Sequence, residues 1–145
     1  MTKDAPSPDH QPPAGVDDLT IEAVGLLTEA LETTERARGH LYSFHQLTGK
    51  ADFEIGDAVE KLRAAGHADL AQRLEHEVLG RNVLPGMWTF QIVERYDETY
   101  WQPFRELEKA VRDTLVRGRR HVLEAGLKEA RRTHGHPDHN ARPGA

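Results

Sequence analysis

The sequence contains no cysteine, so it excludes disulfide bonds, thiolate zinc sites and cysteine nucleophiles. No apolar run approaches the roughly 20 residues that a membrane-spanning helix needs. The first fifteen residues, MTKDAPSPDHQPPAG, also lack the apolar segment of a secretory signal. We therefore expect a cytoplasmic protein that does not associate with membranes.

Proline is scarce in the middle of the chain, because four of the eight prolines lie in residues 1–15. Residues 133–145 hold two more, Pro137 and Pro143. Both ends are polar, and we expect residues 1–15 and 133–145 to be disordered. Residues 16–132 are then predicted to form one folded domain, which is long enough for a hydrophobic core.

The first long stretch of the domain has the spacing of an amphipathic helix. The spacing predicts one helix from Asp17 to about Gly49, where glycine favours a helix end. One apolar stripe contains Val24, Leu27, Leu31 and Leu41, and a second stripe beside it contains Leu26, Ala30, Ala37, Phe44 and Leu47. Two apolar stripes predict that this helix packs against more than one neighbour.

Glycines and one proline divide the remainder of the domain. Two short helices are expected over residues 51–65 and 68–79, followed by Gly66 and Gly80 respectively. A last helical region is expected over residues 89–132, with a kink or a break near Pro103. Acidic residues dominate 17–38 and basic residues dominate 105–132, which favours an antiparallel arrangement of the long helices. The predicted fold is an all-α helical bundle with two long antiparallel helices and two short ones.

Aromatic residues are few, nine in all, and six of them fall within residues 81–107. Five of these rings cannot all face one direction on a single helix, and they are Trp88, Tyr96, Tyr100, Trp101 and Phe104. At least one ring must therefore point away from the main apolar face, and we expect this ring to be Trp101. It needs a second helix, a ligand or a partner chain to cover it. Core packing is one interpretation, and an exposed surface used for oligomerisation is the next, since Trp and Tyr dominate interface hot spots. A ligand pocket between helices is the third.

Histidines and carboxylates are the side chains of this sequence that could carry chemistry. His76-Glu77 begins like a zinc-protease motif, but Gly80 occupies the position of the second histidine. His45 and Glu94 are the candidates for a small-ligand or metal-binding bundle that also uses the aromatic rings. His134, His136 and His139 form a local cluster that could take up a divalent ion, but a disordered polar tail with adventitious affinity is the favoured interpretation.

No nucleophile, base and orienting group can be named together, so we favour a non-catalytic protein. No catalytic residue, metal ligand or cofactor is predicted. The expected function is protein–protein interaction or self-association, in which the chain binds either a protein partner or a second copy of itself. The candidate interface or pocket residues are Trp88, Tyr96, Tyr100, Trp101, Phe104, His45 and Glu94. One alternative is a small-ligand or metal-binding bundle. A second is a nucleic-acid accessory protein, which the net charge of −5 disfavours.

Overall fold

The structure, a computed structural model, describes residues 4–144 and confirms the predicted all-α fold. Its helices are α1 (Asp18–Ala64), α2 (Ala68–Glu77), α3 (Thr89–Tyr96), α4 (Gln102–Val116) and α5 (Val122–Arg131). A π-helical turn (Asp97–Trp101) joins α3 to α4, and a 3-10 turn (Pro8–His10) precedes α1. Within residues 4–144, no helix is long and apolar enough to cross a membrane. Cytoplasmic residence stays a prediction.

The predicted end of the first helix at Gly49 is wrong, because α1 continues to Ala64. The separate short helix expected over residues 51–65 is therefore the end of α1. Glycine inside a helix costs only about 1 kcal/mol relative to alanine. Contacts made by His45 and Asp52, one turn to either side of Gly49, hold this part of α1 against Thr89 and Gly80.

Pro103 neither ends the helix nor leaves a gap, because the chain is helical from Thr89 to Val116. The turn before the proline is π-helical, and the backbone N–H of Gln102 donates to the carbonyl of Asp97. An α-helical proline clashes with the carbonyl four residues earlier, here that of Thr99. A wider π turn relieves this kind of clash without stopping the helix.

The last predicted helix is interrupted at residues 117–121 instead, and the expectation of one helical region up to 132 is wrong there. Arg117 and His121 have φ of 55° and 57°, and Gly118 has φ of 72°. Left-handed backbone at two non-glycine residues is uncommon and ends a helix. Helix α5 begins directly after His121.

Contacts divide the chain into two compact units, whose described parts are residues 4–33 with 103–144, and residues 34–102. In the first unit the start of α1 packs against α4 and α5. Its core contains Ile21, Val24, Val116 and Val122, with Val16, Val111 and Leu123 packed against them. A buried polar network lies beside this core, where Glu108 accepts hydrogen bonds from Thr28 and Arg112 at 3.0 and 3.1 Å.

In the second unit the remainder of α1 packs against α2, α3 and the π turn. Its most buried residues are Thr34, Val59, Ala71, Thr89 and Val93. As α1 runs from Glu35 to His45, its hydrogen-bond partners run backwards from Trp101 to Thr89. These elements are therefore antiparallel, as predicted for the long helices.

The described parts of both predicted tails contact α5 and the loop before it. Arg119 donates to the carbonyl of Gln11 at 2.8 Å. Arg132, whose side chain is almost fully buried, bonds Asp4, Glu129 and the carbonyl of His139. Residues 1–3 and 145 of the predicted tails lie outside the described residues. Disorder of the tails in solution stays a prediction.

Acid is expected to weaken this arrangement of the tails. Hydrogen bonds from Arg132 and His134 lower the pKa of the Glu129 carboxyl from its ordinary value of 4.5 to about 2. A carboxyl with a depressed folded-state pKa stabilises the fold above its unfolded pKa, and this contribution is lost as pH falls through the folded value. We expect stability to fall between about pH 4.5 and pH 2. Glu129→Gln should flatten that part of the pH dependence.

The measurement is urea denaturation followed by circular dichroism at several pH values in this window. Glu60→Gln is the control, because it removes an exposed carboxylate from the second unit. Equal pH dependence in the wild type and Glu129→Gln would show that this carboxylate contributes nothing.

Candidate functional site

Arg38 is the centre of the polar contacts between α1 and the π turn. Its Nε and Nη2 donate to the two carboxylate oxygens of Asp97 at 2.7 and 3.0 Å. The guanidinium carbon lies 3.7 Å from the centre of the Trp101 ring and 5.0 Å from that of Tyr42. Planar guanidinium groups suit such bidentate and stacked contacts. The pair lowers the pKa of Asp97, because Arg38 donates to its charged form.

Trp101, expected from the sequence to point away from the main apolar face, is half-buried against α1. Its indole Nε1 donates to Glu35 at 2.8 Å, while Arg38 covers its face. Of the three possibilities for this ring, the structure provides the second helix. The more exposed ring of the cluster is Tyr100, 54% of which is accessible to solvent.

The other candidate rings have different surroundings. Tyr96 is half-buried, its ring centre is 5.6 Å from that of Tyr100, and burial raises its pKa. Trp88 is half-buried at the N-cap of α3, where its backbone N–H donates to the side chain of Gln91 at 2.8 Å. Phe104 is also half-buried and belongs to the first unit. Four of the five rings, those of Trp88, Tyr96, Tyr100 and Trp101, therefore belong to the second unit.

His45 and Glu94, the candidates for ligand chemistry, differ in burial. His45 Nδ1 lies 2.6 Å from the hydroxyl oxygen of Thr89, a residue with no solvent-exposed surface. Glu94 is exposed on α3. A groove of about 320 Å³ does occur in the second unit, between α1 and α2. Its lining residues are Leu62, Leu70, Arg73, Leu74, Glu77 and Val78, none of which was predicted for a ligand site.

The histidine cluster of the C-terminal segment is held by local hydrogen bonds. His134 contacts Glu129 at 2.7 Å, and the Nδ1 atoms of His136 and His139 accept from the backbone N–H of Asp138 and Thr133. Within residues 4–144, no three His, Cys, Asp or Glu side chains are grouped so that they could hold a metal ion.

Several basic side chains of the base-rich stretch 105–132 make hydrogen bonds inside the first unit. Arg112 donates to Glu108 and to the carbonyl of Gly118, and Arg119 donates to the carbonyl of Gln11. Arg132 is buried among acids and carbonyls. Side chains occupied in this way are less available to neutralise phosphates. The nucleic-acid alternative stays a prediction.

The second apolar stripe of the first helix is exposed on α1. In the second unit its members Ala37, Phe44 and Leu47 are all exposed, and the exposed residues His40 and Ala51 continue the same face of the helix. These five residues are called the outer stripe here. Phe44 is 43% accessible and Leu47 is 65% accessible. The remainder of the sequence-predicted stripe begins at Leu26, in the first unit, which is 56% accessible. The chain therefore does not bury these large side chains against itself.

Comparison with known proteins gives no further guide to function. No protein-family model, no curated protein and no solved structure matches this chain.

Proposed function

We propose that this protein acts without catalysis, by self-association through the outer stripe of α1. The observation that supports the proposal is an exposed run of side chains at positions 37, 40, 44, 47 and 51. Their spacing alternates between three and four residues, which is the repeat of helices that pair in coiled coils. A partner helix would therefore meet a seam, with Phe44 and Leu47 at its middle.

Single exposed hydrophobic side chains are common on protein surfaces and need no explanation. The outer stripe differs because Phe44 and Leu47 are three residues apart and so are neighbours on one face of α1. Ala37 and Ala51 extend the seam on either side with small side chains. Such residues let another helix approach closely, and contiguous exposed apolar surface is typical of interaction sites.

The polar clusters of the second unit support a structural interpretation over a catalytic one. Arg38 and Asp97 bond each other, and His45 bonds Thr89, so these groups hold α1 against α3 and the π turn. The proposal also moves the centre of the interface from the aromatic stretch, residues 88–104, to α1. Trp101 is already covered by Arg38, whereas Phe44 and Leu47 are exposed.

Phe44→Glu is expected to weaken self-association at least about 30-fold, because the loss of a hot-spot side chain costs about 2 kcal/mol or more. The added carboxylate would also be unpaired at the seam. Sedimentation equilibrium over a range of concentrations measures the association constant. Circular dichroism should show unchanged helix content, since Phe44 is exposed on the chain itself.

Phe53→Glu is the matched control, because Phe53 lies on the same helix, is 81% accessible and falls outside the outer stripe. It should leave the association constant unchanged. A wild-type protein that is monomeric at every concentration would overturn the proposal, as would equal weakening by both substitutions.

A further inference from the structure

We infer that two copies pair through the outer stripe in antiparallel orientation, with the two-fold axis between Phe44 and Leu47. This inference rests on the proposed self-association and adds its orientation and register. It follows from the size and charge of the side chains along one exposed face of α1.

The first argument is the match of side-chain size. In heptad notation Ala37, Phe44 and Ala51 take position a, and His40 and Leu47 take position d. Antiparallel helices set each a residue against a d residue of the other helix. With the axis between Phe44 and Leu47, Phe44 faces the partner's Leu47, and Ala51 faces the partner's His40. Large apolar groups meet at the centre, and each imidazole lies over a small side chain.

The second argument is charge. Arg36 and Asp57 are exposed and flank the seam at the same heptad position, g. The register that pairs Phe44 with the partner's Leu47 also sets Arg36 beside the partner's Asp57. The two-fold axis repeats this contact at the other end. Opposite charges beside a seam select orientation and partner.

A parallel arrangement in register would instead bring like charges together at the seam. It would set each seam residue against its own copy, so Glu54, the next d residue, would face the partner's Glu54. Like charges set opposite each other across an interface are destabilising. In the antiparallel arrangement Glu54 faces the partner's Ala37, and its carboxylate keeps the contact with Lys50 of its own helix.

Engineered disulfides test the orientation cleanly, because the chain has no cysteine of its own. The double variant His40→Cys/Ala51→Cys should form a covalent dimer on mild oxidation. The two positions are about 16 Å apart along one helix, so a disulfide within one chain is excluded. Each single variant, His40→Cys or Ala51→Cys, should stay non-covalent, because its own copy is equally far away. Denaturing electrophoresis without reductant reads the products.

The outcomes separate this inference from the proposed function. A covalent dimer of the double variant alone supports the antiparallel register. A covalent dimer of either single variant indicates parallel helices and overturns the inference, while self-association stands. If sedimentation shows a dimer but no variant forms a disulfide, the register is wrong and the proposed function again stands. A wild-type monomer at every concentration overturns both.

Discussion

Glu108→Leu is expected to lower the free energy of unfolding by about 3–5 kcal/mol, the usual cost of breaking a buried ion pair. The side chains of Glu108 and Arg112 are 6% and 12% accessible, and the Arg112 Nε lies 3.1 Å from the carboxylate. Without that carboxylate, the mostly buried guanidinium loses its ion-pair partner and keeps its hydrogen bond to the carbonyl of Gly118. Thr28 also loses the acceptor of its hydroxyl across the helix pair. Urea denaturation followed by circular dichroism measures the loss.

A second substitution separates the cost of an unpaired charge from the value of the pair. Replacing both groups, as in Glu108→Leu/Arg112→Met, should recover most of the lost stability, because apolar residues of similar volume often replace a buried ion pair at little cost. Glu77→Leu is the control, since it breaks the exposed ion pair with Arg73 and should have a far smaller effect. A Glu108→Leu protein as stable as the wild type would show that the pair is not buried in solution.

The all-α fold class could be predicted from the sequence, whereas two of the helix ends could not. Both wrongly predicted ends involve a glycine. Gly66 and Gly80 do follow α1 and α2 with φ of 90° and 70°, as their positions predicted. Gly49 lies inside α1, while Gly118, which was not used as a stop, has φ of 72°. A glycine permits a left-handed turn but does not require one. Tertiary packing decides which glycine ends a helix, and this packing cannot be read from the spacing of residues along the chain.

The same reasoning explains which parts of the candidate site were missed. The contact between Arg38 and Asp97 joins residues that are 59 positions apart, and Asp97 lies in an acidic run that is typical of a solvated face. Only the antiparallel packing of α1 on the π turn brings them together. The second apolar stripe was visible from its spacing. The exposure of this stripe could not be predicted, because residue spacing identifies an apolar face of a helix but does not show whether another element packs against it.

Gly25→Ala is expected to lower the free energy of unfolding by about 1–3 kcal/mol, as overpacking of a core does. A Cβ atom at this position would lie 2.9 Å from the Cβ of Leu123 and closer still to its Cδ2. Because the Leu123 Cβ is fixed to the backbone of α5, a change of rotamer cannot remove the clash. Helix α5 would have to shift, and Val122 in the core would shift with it. Urea denaturation measures the change.

Gly39→Ala isolates the packing effect, because it makes the same change inside the same helix. A Cβ atom at Gly39 meets nothing within 4 Å. Alanine there should stabilise the protein by up to about 1 kcal/mol, since it favours helix over glycine by that amount. The two substitutions should therefore change stability in opposite directions. If both substitutions stabilised the protein, α5 would be able to move away from the new methyl group without loss of stability. The close contact between Gly25 and Leu123 would then not determine how the first unit packs.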